Sequence, residues 1–177
     1  PKDDGEYESY NVNFPRFKIN YLYRLKGFHY GGMSYSMDDY NIVDLPENHD
    51  LIESEIPGYD GSFISTLGLH YAYDSRDNLF NPTKGSFIST SIQWNSKYFG
   101  SDFDFARIVL DAIYYQKVKG GSVLALNLYG GAVIGKVPFQ ELMLYGGSNK
   151  ARGYYQGRLR DNILLMTQLE YRFTLYK

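Results

Sequence analysis

The feature that most constrains this chain is a strict alternation of apolar and polar residues that returns from one segment to the next. The alternation is clearest from residue 63 to residue 74, FISTLGLHYAYD. A period of two is that of a β-strand whose two faces meet different surroundings. The same pattern occurs, with weaker alternation in the second segment, in residues 17–25, 28–36, 88–98, 107–115, 124–134 and 163–175. It predicts an all-β chain of about seven strands in an antiparallel up-and-down meander.

The composition supports this fold class and limits the partners. Tyr (19), Phe (11) and Gly (18) are abundant among the 177 residues, and aromatic residues favour strands while glycine favours turns. A formal net charge of −2 argues against a nucleic-acid partner, which would require a basic excess. The absence of cysteine excludes disulfides and cysteine metal sites. The chain begins at Pro1 with no signal-peptide pattern, so we expect a processed or excised segment.

An all-β chain of this kind is compatible with part of a transmembrane β-barrel and with a soluble β-sandwich or lipocalin-like barrel. The apolar faces end in aromatic rings, as an aromatic girdle at the lipid headgroups requires. The opposite faces carry ionisable and amide groups in mid-strand, which suits a wet lumen and suits a sandwich only at its solvent face. These groups are Arg107, Asp111, Asn127, Gln168, Glu170 and Arg172. The pattern favours the membrane barrel, with a soluble binding module as the alternative.

The connections between the predicted strands alternate between two rims. One rim is predicted to hold the short connections at 26–27, 76–85 and 119–121. The other is predicted to hold residues 38–61, which we interpret as a long loop, and the connections at 99–102 and 135–161. Two of these three are long, which matches the short periplasmic turns and longer outer loops of membrane barrels.

Residues 145–161, YGGSNKARGYYQGRLRD, are too long and too rich in glycine for a hairpin turn, so we predict a functional loop. Glycine allows backbone geometries that other residues avoid. Arg152, Arg158 and Arg160 carry guanidinium groups suited to buried carboxylates. The alternative is a solvated surface loop with a basic character.

Two segments together resemble the bacterial surface antigen family, the BamA-type outer-membrane assembly and translocation barrels. The segment YDSRDNLFNPTKG at 73–85 is similar to a periplasmic turn of that family. Its candidate residues are Asp74, Arg76, Asp77, Asn78, Pro82 and Gly85, and capping by Asp and Asn predicts a structural role for them. The 145–161 loop is similar to the family's signature loop, although Ala151 stands where an aliphatic residue is usual. Its candidate residues are Gly146, Gly147, Arg152, Gly153, Tyr154, Gly157, Arg158 and Asp161.

The resemblance implies a sixteen-stranded barrel in the bacterial outer membrane, usually preceded by periplasmic POTRA domains, with the signature loop folded back into the lumen. It therefore implies that residues 1–177 are a partial barrel domain, with further strands upstream and four more downstream. The acidic residues expected to meet the loop arginine would lie on the next strand. The implied partners are outer-membrane lipid, client outer-membrane proteins or a fused passenger domain, and periplasmic or lipoprotein accessory subunits.

Two functions within this family fit the sequence. The first is insertion or translocation of outer-membrane proteins, with Arg152 in the lumen, Gly153 turning the chain and Tyr154 packed on the inner wall. The second is a pore for secretion or display of a fused passenger or enzyme domain, patatin-like lipase or phosphoesterase, which would lie outside this chain.

The sequence contains no nucleophile elbow, no His-Glu-x-x-His and no phosphate-binding glycine motif, so we expect no catalytic residue, no cofactor and no metal. The acidic residues between 38 and 50 match no calcium loop and are interpreted as a solvated face. Arg107 and Asp111, on one face of one strand, are predicted to pair with Glu170 or Arg172 in a lumen charge network.

Overall fold

The computed structural model describes residues 11–43, 56–148 and 150–173. The strands in these ranges are β1 Asn11–Asn13, β2 Arg16–Lys26, β3 His29–Val43, β4 Ser62–Asp74, β5 Gly85–Asn95, β6 Phe105–Lys117, β7 Val123–Gly135, β8 Met143–Tyr145, β9 Leu159–Asp161 and β10 Ile163–Arg172. Short 3-10 turns lie at Lys97–Phe99, Lys119–Gly121 and Phe139–Glu141. Within the described residues, no helix combines the length and the apolar character needed to cross a bilayer.

One antiparallel sheet contains eight of these strands in the order β1-β3-β4-β5-β6-β7-β10, with β2 also paired to β3. β1 and β2 follow one another along β3, because Asn13 pairs with Asn41 and Arg16 pairs with Asp38. The sheet therefore has seven strand positions, and strands that are neighbours in sequence are neighbours in space. This confirms the predicted all-β, up-and-down meander.

One face of the sheet is apolar and exposed, and we call it the outer face. A single cross-strand row on it consists of Tyr21, Met33, Leu69, Ile92, Ile108, Ala132 and Ile163. Leu69 is 46%, Ile92 38% and Ile163 72% exposed. A soluble protein rarely leaves so continuous an apolar surface to water, whereas a barrel presents one to lipid. A sandwich would have placed these side chains in a closed core, so the soluble alternative does not describe this sheet.

The opposite face, which we call the inner face, carries polar groups and two small buried clusters. Near the rim of longer loops lies the cluster of Tyr40, Ile64 and Phe105. At the rim of short turns lies the cluster of Tyr115, Val123 and Ala125. The aliphatic side chains of the outer face stay exposed while these mixed groups are covered, which is the reverse of the burial pattern of a soluble sandwich.

Several element boundaries differ from the sequence prediction. The last strand, predicted over residues 163–175, ends at Arg172, and residues 174 and 175 lie outside the described ranges. β3 continues to Val43, so residues 38–43 belong to a strand and not to a loop, because their backbone pairs with β1, β2 and β4. The rest of the predicted 38–61 loop includes residues 44–55, which lie outside the described ranges. β5 ends at Asn95, so Tyr98 does not share the strand face as predicted. It lies in the following 3-10 turn and is 97% exposed, because Ser96 caps that turn through the backbone N–H of Tyr98.

Candidate functional site: the loop between β7 and β10

The long connection between β7 and β10 lies against the inner face of the sheet. Inside it, β8 and β9 form a small antiparallel pair, with Met143 opposite Asp161 and Tyr145 opposite Leu159. We call residues 136–145 the stem and residues 146–158 the tip. The sequence did not predict this pair of strands, because three residues are too few to show an alternation.

Glu141 is the centre of the contacts that hold the stem. Nη2 of Arg107, on β6, donates to Glu141 Oε2 at 2.6 Å and also to the Glu141 carbonyl oxygen. The hydroxyl of Tyr40, on β3, donates to Glu141 Oε1 at 2.8 Å. The Tyr40 oxygen in turn accepts from Arg16 Nη2 at 3.3 Å, and Arg16 pairs with Asp38. The Glu141 side chain is only 11% exposed, and a covered carboxylate is stable only with such partners.

Two further bonds attach the stem to the neighbouring loop on the same rim. The backbone N–H of Phe139 donates to the Pro57 carbonyl at 2.9 Å. Nε2 of Gln140 donates to the Gly58 carbonyl at 2.7 Å. The stem is therefore fixed both to the wall and to the chain that precedes β4.

Gly131, on β7, leaves the space that the Met143 side chain of the stem occupies. A Cβ at this position would lie 3.2 Å from Met143 Sδ, closer still to the terminal methyl, and 3.1 Å from the Ile108 carbonyl. A side chain here would have to displace the flexible end of Met143 and would crowd the Ile108 carbonyl. The close approach of Met143 therefore favours glycine at this position.

The tip is tied to the wall by Lys150. Its Nζ lies 2.8 Å from Asp111 Oδ2 and 3.2 Å from the centre of the Tyr129 ring. Asp111 also accepts a hydrogen bond from Asn127 Nδ2 at 2.9 Å. Lys150 is thus held by an ion pair and a cation–π contact on two adjacent strands.

The predicted Arg-Gly-Tyr motif forms an exposed turn in the tip. The N–H of Tyr154 donates to the Ala151 carbonyl at 3.0 Å, and the N–H of Gly147 donates to the Tyr154 carbonyl at 3.1 Å. The Tyr154 ring packs edge-on against Tyr145, with 5.3 Å between ring centres. The Arg152 side chain is exposed, and no carboxylate of the described residues pairs with it.

Three glycines of the loop allow backbone conformations that other residues rarely adopt. Gly146 and Gly147 have φ of 98° and 117° and Gly157 has φ of 85°, values that L side chains rarely adopt. The N–H of Gly157 donates to the Tyr145 carbonyl at 3.0 Å, which closes the tip onto the stem. Ala151 has φ of 51°, where a β-branched residue would be strained. This conformation gives a physical reason for alanine at the position where the family usually has an aliphatic residue.

Arg158, Arg160 and Asp161 take local positions at the end of the loop. The N–H of Arg158 donates to the Tyr155 carbonyl at 3.3 Å, and Arg160 Nε donates to the Gly157 carbonyl at 3.2 Å. Asp161 accepts from the N–H of the next residue. These contacts lie within the loop, and among the described residues neither arginine forms an ion pair with a carboxylate.

The structure corrects the pairing predicted for the lumen charge network. Arg107 and Asp111 lie on the inner face as expected, but their partners are on the loop. Arg172 Nε instead donates to Glu170 Oε1 at 2.5 Å. Glu170 shares a cross-strand row with Tyr115, four residues along β6 from Asp111, and this separation is about 13 Å at the usual rise of a strand. The sequence contains one weak indication of the partner of Arg107, because Glu141 is the one acidic residue between positions 136 and 145.

The predicted periplasmic turn between β4 and β5 is closed by side chains that cap its backbone. Asp77 Oδ1 accepts from the N–H groups of Thr83 at 2.9 Å and Lys84 at 3.2 Å, and Oδ2 accepts from the Thr83 hydroxyl at 2.6 Å. Asn78 Oδ1 accepts from the N–H groups of Phe80 at 2.8 Å and Asn81 at 3.0 Å. These contacts support the structural role predicted for Asp77 and Asn78.

The ends of the same turn are fixed by a guanidinium and by a glycine. Arg76 binds Asp74 through two nitrogens, at 2.8 and 2.6 Å, and lies 4.6 Å from the centre of the Phe87 ring. Gly85 has φ of 102°, and a Cβ there would lie 2.9 Å from Arg76 Cα. Pro82 is buried in the turn. The six predicted residues therefore form one compact reversal.

The turn is expected to loosen in acid. The Thr83 hydroxyl and the amides of Thr83 and Lys84 hold the pKa of Asp77 well below its usual value. A depressed pKa means that the carboxylate stabilises the turn above the unfolded pKa, about 3.9 for Asp, and that this is lost as the pH falls through the folded pKa. Hydrogen exchange at the Thr83 and Lys84 amides, corrected for the intrinsic rate, should therefore lose protection below a pH of about 4.

The variant Asp77→Asn should already be less protected at neutral pH, because its amide oxygen is an uncharged and weaker acceptor and its NH₂ group cannot accept from the Thr83 hydroxyl as Oδ2 does. Asp60→Asn, at an exposed acid on the other rim, is the matched control. Equal protection in Asp77→Asn and in the control would contradict the role of the carboxylate.

An antiparallel meander with a lipid-type outer face, a polar inner face and a long loop bonded to that inner face defines a wall of a transmembrane β-barrel. The chain belongs to the Omp85 superfamily: the family model described as the Omp85 superfamily domain matches residues 1–177. This confirms the predicted BamA-type family and the predicted location in the bacterial outer membrane.

Two relatives give the extent of the similarity. The outer membrane protein assembly factor BamA of Nitratidesulfovibrio vulgaris is 30% identical over 127 residues, which is 70% of this chain and 16% of that protein. The crystal structure of BamA from Haemophilus ducreyi lacking POTRA domains 1–3 superposes with a TM-score of 0.70 at 17% identity, over 93% of this chain and 38% of that one. The chain thus spans well under half the length of each relative.

Proposed function

We propose that this chain is a wall segment of a non-enzymatic barrel that inserts or translocates outer-membrane proteins, and that its β7–β10 loop braces the lumen. Membership of the Omp85 superfamily supports the first part, as does the similarity to a protein named as an assembly factor. The observation that carries the second part is the attachment of the loop to the inner face by two ion pairs, Arg107–Glu141 and Lys150–Asp111.

A loop held in this way occupies space that would otherwise be open water between the walls. The stem is bonded to β3 and β6, and the tip is bonded to β6 and packed on β7. Movement of one of these strands must therefore break a charged contact. Such a brace would keep the wall in one shape while a client protein is handled.

The exposed Arg152 adds a further positive charge to the tip, available to a carboxylate that the described residues do not supply. In the proposed function this carboxylate belongs to the rest of the barrel wall. The outer face binds outer-membrane lipid, and client outer-membrane proteins or a passenger domain are the substrates. Periplasmic or lipoprotein accessory subunits are its further partners, and no cofactor, metal or nucleic acid takes part.

Replacing Arg152 with Ala in the full-length protein is expected to lower the yield of folded client in an assembly assay. Loss of one charged hydrogen bond of about 1.5 kcal/mol corresponds to roughly a tenfold effect. Lys97→Ala, at an exposed basic residue on the loop rim, is the matched control. The folded fraction of each variant, measured by its heat-modifiable gel mobility, separates loss of function from loss of fold.

An Arg152→Ala protein that is folded and assembles clients as well as the Lys97→Ala control would remove the motif from the mechanism. If neither the wild-type protein nor the Arg152→Ala variant assembles clients, and the protein exports a fused passenger domain, the secretion pore is favoured instead.

A further inference from the structure

We infer that Glu141 is the positioning residue that couples the loop to the curvature of the barrel wall, because its single carboxylate ties together two strands that are distant in the sheet. This inference deepens the proposed function and rests on the loop acting as a brace. It assigns the coupling to the stem, away from the Arg-Gly-Tyr tip.

The strand register shows how far apart the two tied strands would be on a flat sheet. Arg107 on β6 lies in the same cross-strand row as Ser34 on β3, with β4 and β5 between them. Tyr40 is six residues further along β3 than Ser34. Three strand spacings of about 4.8 Å and six residues of about 3.3 Å would place Tyr40 and Arg107 roughly 24 Å apart at their backbones.

An arginine and a tyrosine cannot meet at one carboxylate across that distance. They do meet at Glu141, with contacts of 2.6 and 2.8 Å, so the sheet is curved at this rim. The buried cluster beside the carboxylate agrees with this, because Tyr40 on β3, Ile64 on β4 and Phe105 on β6 pack together on the inner face. Glu141 thus lies where the curved sheet contacts the stem from both β3 and β6.

The two carboxylate oxygens are used by different strands. Oε1 accepts from Tyr40 on β3, and Oε2 accepts from Arg107 on β6. A glutamine has the same shape but no charge and one acceptor atom in its side chain, so it can accept from Arg107 or from Tyr40 but not from both. Glu141→Gln therefore replaces the ion pair and the charged hydrogen bond by weaker neutral contacts, while changing the volume of the side chain very little.

The second ion pair, Lys150–Asp111, does not join strands that are distant in the sheet. Lys150 and Asp111 join the tip to β6 and to its direct neighbour β7, which backbone hydrogen bonds already hold together. Their side chains are also more exposed, at 29% and 20%. This pair can position the tip, but it cannot set the distance between β3 and β6.

The test is a distance measurement in the full-length barrel in lipid. Spin labels at positions 41 and 106, on β3 and β6 near the loop rim, report the separation of the two strands by pulsed electron resonance. In Glu141→Gln and in Tyr40→Phe we expect this separation to broaden and to increase by about 3 Å or more, the length of the lost hydrogen bond. Asp60→Asn, a carboxylate-to-amide exchange on the same rim, should leave it unchanged.

The double variant Tyr40→Phe with Glu141→Gln should show no more widening than the larger of the single variants, because both break the same tie. Tyr40→Phe removes one hydroxyl only and keeps the test valid if Glu141→Gln fails to fold. Unchanged separation in the single variants, or widening in the double variant that equals their sum, would overturn the inference.

Client assembly is measured on the same proteins so that two failures can be told apart. Widening accompanied by normal client assembly would support the role of Glu141 in the wall and refute the brace as part of the proposed function. Reduced assembly with unchanged strand separation would refute the role of Glu141 and leave the proposed function standing.

Discussion

A lysine at position 92 is expected to prevent the protein from folding stably in a bilayer, whereas a lysine at position 91 is tolerated. Ile92 lies at the centre of the apolar row on the outer face, with Leu69 and Ile108 as its cross-strand neighbours. A lysine there would place its charge in hydrocarbon, at a cost that reaches about 2–4 kcal/mol at the midplane of the membrane and decreases towards the rims. Ser91 points to the inner face between His70 and Val109, where water can solvate an ammonium group.

The comparison is made on full-length protein folded into lipid vesicles, with urea titration and heat-modifiable gel mobility as the measurements. Ile92→Lys and Ser91→Lys make the same charge change one residue apart on the same strand. If the two variants lose equal stability, the assignment of the outer face to lipid is wrong.

The second large effect is expected at the ion pair of the stem. Arg107→Met should destabilise the folded protein by about 3 kcal/mol, the lower end of the range for breaking a buried pair, since Glu141 would keep its charge with only Tyr40 as a partner. The lower end applies because the Arg107 and Glu141 side chains retain 21% and 11% exposure.

Replacing both members, Arg107→Met with Glu141→Met, should recover most of that loss, because no covered charge remains. Urea unfolding in vesicles gives the free energies of the wild type, the two single variants and the double variant. A double variant that is less stable than Arg107→Met alone would show that Glu141 still stabilises the protein through Tyr40, and that its uncompensated charge is not what Arg107→Met costs.

The sheet was predictable from the sequence because its strands obey a local rule. An alternation such as Phe63 to Tyr73 fixes which side chains face lipid, and the register with the neighbouring strands follows from the connections. The outer face, the meander and the two rims were therefore correct. The extension of β3 to Val43 was missed, because two adjacent acidic residues at positions 38 and 39 are typical of a loop. The sequence alone does not show that Arg16 pairs with Asp38 on the neighbouring strand.

The contacts of the loop could not be predicted in the same way. Glu141 and Lys150 belong to a segment without periodicity, and their partners are 34 and 39 residues away in sequence. Only the fold of the loop onto the wall brings them together. The charges at Arg107 and Asp111 were correctly placed on the inner face, but their strands gave no information about a partner outside the sheet.

The glycine at position 131 affects how precisely the loop is positioned along the sheet, because Met143 packs directly against it. Attraction between opposite charges falls slowly with distance, so the two ion pairs alone would tolerate a displacement of the loop along β6 and β7. The contact of Met143 with Gly131 does not, because moving the loop along β7 would bring Met143 against Tyr129 or Val133, whose side chains share the inner face. The ion pairs therefore determine which way the loop faces, and the contact of Met143 with Gly131 determines where along the sheet it lies.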